Sequence, residues 1–234
     1  MDEGRYGEAV EIYRGLVKSE PRNAGLIMNL GMALEAAERP REAVEQFQAV
    51  LKLDPKLVPA LVMLGEAYRK LGEAPKAVAP LERARELEPR SRMIDLELAD
   101  TYYALKRWED AAESYLRFTK VDTGEARAWK GLGLSYVALW RAAAGQLRKM
   151  APASDYVKAL DRDPQPDCAR EKLACEFAEG RFWQVVVAAK AENTPASWYW
   201  RARAYEELAM LAFSQLSDLL PESEVRELLK EMRP

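Results

Sequence analysis

The sequence contains no histidine. This absence removes the commonest general base, the commonest metal ligand and every triad built on imidazole. Cysteine is almost as scarce, with only Cys168 and Cys175 present, so there is no disulfide framework and no cysteine metal motif. Seven positions apart on one helix, the two thiols would share a face but stand about 10 Å apart along the axis, too far to bridge. They are expected to be two small buried residues of a packing surface. Long apolar runs are missing as well. No stretch approaches the roughly 20 residues needed to span a bilayer, and no secretory leader is visible. The expected compartment is the cytoplasm, unless an upstream targeting segment has been lost. Neither charge sign dominates, with 35 Lys and Arg against 38 Asp and Glu, a net charge of -3. Nucleic acid is therefore not expected as the main partner, because phosphate binding needs a concentrated basic face.

What is present is a repeat. Apolar residues make up 49% of the 234 positions, enough for one large core or several small cores in a row. In strides of 34, Ala9, Ala43, Ala77 and Ala111 fall in one column, and Tyr13, Phe47, Leu81 and Tyr115 in a second. Leu16, Val50, Ala84 and Phe118 form a third, and Pro21, Pro55 and Pro89 a fourth, with Thr123 as the exception. Leu30, Leu64, Leu98 and Leu132 align, each followed by a small residue: Gly31, Gly65, Ala99 and Gly133. Leu34, Tyr68, Tyr102 and Tyr136 complete the unit. The small residues let two helices approach closely, the aromatic or leucine fills the gap between units, and the proline ends a helix and opens the next turn. Apolar spacings of three and four place helices near 5–18, 24–37, 40–53, 58–71, 74–87, 92–105 and 108–121. One helix pair cannot bury its own apolar face, so the core must be a seam shared between neighbours.

These columns resemble the tetratricopeptide repeat over residues 5–136. The resemblance implies an all-α solenoid of antiparallel helix pairs, irregular in the C-terminal half, with one or two long helices there. It also implies a protein-interaction scaffold that binds a peptide or protein segment in a groove lined by the first helix of each pair. By that resemblance the partner-binding residues are Met28, Asn29, Met32, Val62, Met63, Glu66, Arg69, Glu97, Asp100, Tyr103, Arg127 and Lys130. The methionines suit an adaptable apolar contact, the middle of the groove is acidic and its far end basic. Some members of the family grip a C-terminal carboxylate with a lysine and asparagine clamp. This chain keeps Asn29, but Gly25, Met28, Met32, Met93 and Leu96 stand around the corresponding positions, so that clamp is not expected.

After Tyr136 the register fails. Pro152 arrives about five residues early, which leaves two readings: a cramped turn near Trp140, or one continuous helix over 125–150, favoured by Ala142, Ala143 and Ala144. The same shortened unit recurs further along the chain, where Trp129, Tyr136, Leu139, Ala143, Leu147, Pro152 and Ser154 match Trp198, Tyr205, Leu208, Ala212, Leu216, Pro221 and Ser223. Residues 1–124 thus read as a regular array that starts in mid-repeat, and 125–234 as a divergent segment with a 69-residue super-repeat. Pro164 and Pro166 make 161–167 a loop, Asp167 is an N-cap candidate for a helix over 168–179, and further helices are expected over 182–192 and 222–232. Trp129 and Trp198 sit in the packing column and are expected in the core, whereas Trp183 and Trp200 fit core or surface equally.

No catalytic residue, cofactor or metal is expected. Glu8 with Glu11, and Glu109 with Asp110 and Glu113, are acidic pairs on solvated faces, and Gly131-Leu132-Gly133 is the packing motif, lacking the strand, third glycine and lysine of a phosphate loop. The alternative reading is the repeat region of a larger enzyme or envelope-assembly protein that mediates substrate choice or self-association. The first helix motivates it: Val10, Ile12, Tyr13, Leu16 and Val17 would lack part of their cover, which suggests a homodimer through that edge.

Overall fold

A computed structural model describes residues 3–230, in which all regular secondary structure is helical. The chain forms two compact units, Met1–Arg107 and Trp108–Pro234. The division at 124/125 rests on repeat register rather than on contacts and remains a proposal about organisation.

The first unit holds α1 (Glu3–Ser19), α2 (Ala24–Ala36), α3 (Pro40–Leu53), α4 (Val58–Lys70), α5 (Ala74–Leu87) and α6 (Arg92–Ala104). Asn23 starts α2 by accepting from the Leu26 amide, and α3, α4 and α5 each carry a proline in the first turn, where its missing N–H costs nothing. Each helix packs on the next, and α2 also touches α4 as α4 touches α6. Val10, Leu30, Leu34, Ala43, Phe47 and Leu64 form the core across α1 to α4. Burying a side chain the size of Phe47 contributes about 2–3 kcal/mol. The two glycine-column positions show why the column is small: a Cβ on Gly31 would lie 2.5 Å from the Phe47 ring, and one on Gly65 would lie 2.5 Å from Leu81. Both contacts join the two columns identified in the sequence.

The turns between α2 and α3 and between α4 and α5 pass through left-handed residues, Glu38 (φ 56°) and Gly72 (φ 73°), and Lys106 (φ 58°), one repeat further on after α6, is left-handed as well. The next stride of the repeat reaches Trp140. A bulky aromatic is strongly disfavoured in that conformation, and no turn forms. The chain continues instead as one helix.

The second unit holds α7 (Trp108–Thr119), α8 (Ala126–Met150), α9 (Asp155–Ala159), α10 (Lys172–Ala178), α11 (Phe182–Lys190), α12 (Pro195–Ser214), a 3-10 turn (Gln215–Asp218) and α13 (Glu222–Lys230). The 25-residue α8 is the continuous helix, and α12, started by a Thr194–Ser197 capping box, is its 20-residue counterpart. The two run antiparallel. Lys130, near the start of α8, lies by Ser223 and Glu224 beyond the end of α12, while Leu160, just past the short α9 that follows α8, accepts from Arg203 in the first half of α12. Tyr136 and Tyr205, equivalent in the 69-residue super-repeat, stack on each other with centroids 6.2 Å apart. The ring of Phe213 closes over Gly133, as Phe47 closes over Gly31. The long helix therefore finds the cover of its missing partner helix in α12.

Several expectations are corrected. The helix expected over 168–179 begins at Lys172. Asp167 caps a preceding turn, accepting from the Ala169 amide at 3.0 Å. Cys168 and Cys175 are consequently not on one helix and not buried: Cys168 is exposed in the turn and Cys175 is half-buried on α10. Trp129 and Trp198 are half-buried rather than core. Each pins the loop that leads into its long helix, Trp129 donating to the Thr123 carbonyl at 3.0 Å and Trp198 to Asn193 Oδ1 at 2.8 Å. Trp200 is buried and Trp183 exposed. The short α9, capped by Ser154, was not anticipated. Residues 231 and 232 of the last expected helix lie outside the described residues.

Candidate functional site

The first helices α2, α4 and α6 of the first unit carry ten of the twelve predicted binding residues, and the structure sorts them into two layers. Met28 and Met32 from α2 and Val62 and Met63 from α4 line one open hollow. Val58, Pro59, Met93 and Ile94 complete its apolar wall, with Glu88 and Ser91 at its side. Met93 is 66% exposed and Met32 47% exposed, so both offer unburied side-chain surface at this hollow. Met63 is half-buried against the core, and Val62 is buried.

The second layer is ionic. Lys70 reaches Glu35 of α2 at 3.2 Å and Glu66 of its own helix at 3.1 Å, and Arg69 reaches Glu97 of α6 at 2.9 Å. Burial raises the Glu35 pKa, partly offset by its hydrogen bond to Lys70. Burial opposes the charge on Lys70, but hydrogen bonds to Glu66 and Glu35 outweigh it and its pKa rises. Glu66, Arg69 and Glu97 thus belong to the ionic contacts that tie α2, α4 and α6 together. Asn29 is exposed, and Asp100 and Tyr103 are half-buried on α6. Also on α6, the Tyr102 hydroxyl donates to Glu82 of α5 at 2.6 Å and Arg107 stacks over its ring at 4.4 Å.

Arg127 and Lys130 belong to the second unit and sit on α8. Arg127 is exposed, and Lys130 lines a hollow with Ser223, Glu224, Glu227 and Leu228. Met93 and Pro59 were missed as wall residues. They stand in one column of the repeat, with Gly25 as its first member, and that register was the available signal.

Of the acidic residues considered above, Glu11 pairs with Arg14 at 2.9 Å and Glu113 with Arg117 at 2.7 Å, each within its own helix. Glu109 accepts from Lys190 at 2.8 Å, Arg201 at 3.1 Å and Tyr205 at 3.4 Å, and so ties α7 to α11 and α12. Among the described residues no cluster of three or more His, Cys, Asp or Glu could hold a metal ion, and no helix is long and apolar enough to cross a membrane.

A tetratricopeptide repeat profile matches residues 1–58, 28–92, 62–125 and 96–145 in overlapping registers. No curated protein sequence matches the chain. Among solved structures, one crystal structure of MamA is 26% identical, with a TM-score of 0.55 over 57% of this chain and 78% of MamA. A second MamA structure is 23% identical, with a TM-score of 0.56 over 70% of this chain and 90% of that one. A tetratricopeptide repeat protein from Parabacteroides merdae is 20% identical, with a TM-score of 0.53 over 99% of this chain and 93% of its own.

Proposed function

The chain belongs to the tetratricopeptide repeat family, and from that premise we propose that it is a protein-interaction scaffold whose binding surface is the methionine-lined hollow of the first unit. The observation that carries this reading is the convergence of Met28, Met32, Met63 and Met93 from three helices on one apolar depression. Unbranched thioethers adapt to different apolar side chains, so such a wall suits an extended or helical segment presenting one or two of them. Glu66 and Glu97 are already paired with Lys70 and Arg69 along the same helices, so the apolar contact and not charge carries the recognition. Asn29, Arg69 and Tyr103 are assigned to the rim of this surface. Arg127 and Lys130 lie on the second unit and are assigned to a separate basic contact, tested by its own substitutions.

The test is photo-crosslinking from a reactive amino acid placed at Met32 or Met93, with Lys52 on α3 as the control position, against a displayed library of short peptides. Peptides captured through the hollow should carry apolar anchors and lose binding at least about tenfold in Met93→Lys, a change of about 1.4 kcal/mol or more. Equal capture from Lys52, or binding indifferent to Met32→Lys and Met93→Lys, would move the site elsewhere.

A second reading, self-association as part of a larger enzyme or assembly protein, is favoured by α1. Val10 is fully buried there, yet Ile12 is 63% exposed and Tyr6 and Leu16 are exposed as well. Sedimentation of the wild type and of Ile12→Lys with Leu16→Lys separates the two readings: a wild-type dimer that the double variant dissolves supports the second. We assign the regular array to 1–124 and read 125–234 as serving packing or assembly.

A further inference from the structure

The two cysteines, expected apart on one buried helix face, are brought together at the surface of the second unit. The turn capped by Asp167 folds the chain back so that the Arg170 and Glu171 amides both reach the Asp167 carbonyl at 3.1 Å. That reversal places the Cys175 thiol 3.4 Å from the backbone carbonyl of Cys168. Both thiols are free, Cys168 is exposed and Cys175 half-exposed, and no other cysteine exists in the chain to compete for either. We propose that Cys168 and Cys175 are a built site of thiol–disulfide exchange, which closes an eight-residue ring around Glu171 when it meets a low-molecular-weight disulfide such as oxidised glutathione.

Three observations make the ring fit the fold. First, Glu171 inside it is already held on two sides, its carboxylate accepting from the Tyr156 hydroxyl and from the Trp200 indole N–H. The residues between the cysteines therefore have a fixed position to return to. Second, the sulfur of Cys175 already sits against the backbone of Cys168, which brings the two residues into the neighbourhood a disulfide requires. Third, α10 is only seven residues long and would be marginal alone. Its buried Ala174 and Phe177 hold one face, Phe177 packing on Trp200 at 5.3 Å. The bridge at Cys175, between them in sequence, would tie this helix to the turn before it.

The chemistry has a natural order. Contact with Cys168 and partial burial raise the Cys175 pKa above the usual thiol range, so the exposed Cys168 is the first nucleophile. Its thiolate attacks one sulfur of oxidised glutathione, forms a mixed disulfide and releases one glutathione thiolate. The Cys175 thiolate then attacks Cys168 Sγ, forms the internal bond and releases the second glutathione. The protein loses two protons and two electrons, and one oxidised glutathione becomes two reduced ones.

The test uses the whole chain in oxidised and reduced glutathione mixtures, quenched by alkylation and digested with trypsin in urea. Arg170 and Lys172 lie inside the ring, so peptides 163–170 and 173–181 separate unless the bond holds them. The expected product is the linked pair, formed in monomeric protein with neither cysteine alkylated. Cys168→Ser and Cys175→Ser should each stop at a single glutathione adduct. Under native conditions the oxidised form should be cut between 170 and 173 at least about fivefold more slowly than the reduced form, because local opening is restrained. Glutathione adducts that persist on both cysteines, or disulfide-linked dimers in place of the internal pair, would overturn the proposal.

Discussion

At the scale of single residues, the repeat works through volume rather than chemistry. Gly31 and Gly65 are small because Phe47 and Leu81 fill the space where their Cβ atoms would stand. Gly31→Ala is expected to destabilise by about 1–3 kcal/mol through overpacking, measured as a lowered urea midpoint. Gly15 sits in α1 with nothing within 4 Å of its missing Cβ. Gly15→Ala should therefore stabilise by about 0.5–1 kcal/mol through helix propensity alone. Opposite signs for one chemical change at two helical glycines would separate packing from propensity, whereas equal signs would refute the packing account. The columns of small residues were visible in the sequence, but the identity of their neighbours was not. Gly133 occupies the same column as Gly31, and its neighbour, Phe213, comes from α12, far along the chain.

At the scale of elements, the turn within a helix pair decides whether there is a pair. Glu38 and Lys106 adopt the left-handed conformation that Gly72 adopts at no steric cost. Glu38→Gly should raise stability by up to about 1 kcal/mol, and Gly72→Ala should lower it by a similar amount, both read as shifts in thermal midpoint. A destabilised Glu38→Gly would mean that the turn depends on the side chain and not on the backbone. The fourth equivalent position is Trp140, buried in α8, and here the sequence left a turn and a continuous helix both open. Periodicity alone could not choose between them, because a turn without a breaker and a helix share one local composition. Trp140 disfavours the left-handed turn, and α12 supplies the cover, its Tyr205 and Phe213 lying on α8 where a second helix would otherwise have folded back.

At the scale of the molecule, tyrosines whose hydroxyls are partly or wholly withdrawn from water are expected to set the alkaline limit. Burial, reinforced by Glu82, pushes Tyr102 up to about 12. Burial with Glu171 does the same for Tyr156, and burial against the opposing influence of Arg201 does so for Tyr205. Tyr136 and Lys70 shift in the same direction. Each folded-state pKa lies above its unfolded value, so the folded chain binds more protons than the unfolded chain at high pH. Their contribution is complete below about pH 10 and is lost as the pH rises towards about 12. Urea midpoints should be level up to about pH 10 and fall steeply beyond it. Tyr102→Phe, which also removes the hydrogen bond to Glu82, should cost about 1 kcal/mol at neutral pH and make the alkaline fall shallower. A fall unchanged in slope would exclude Tyr102 from it.

The sequence by itself determined the helical repeat and the first seven helices to within about two residues at each end. These follow from local periodicity and volume, which a chain carries in its own order. It also showed the loss of register after Tyr136 and the 69-residue echo of that loss. Only the tertiary structure decided that Met93 and Pro59 share a wall with Met28 and Met63, that Glu66, Arg69 and Glu97 are engaged in ionic contacts along the first helices, and that Trp129 and Trp198 act as loop pins. It alone also brought Cys175 against Cys168, by starting α10 later than the nearest capping residue suggested. Each of these depends on which of several locally acceptable conformations gains cover from a distant segment. That gain is a property of contacts and not of spacing.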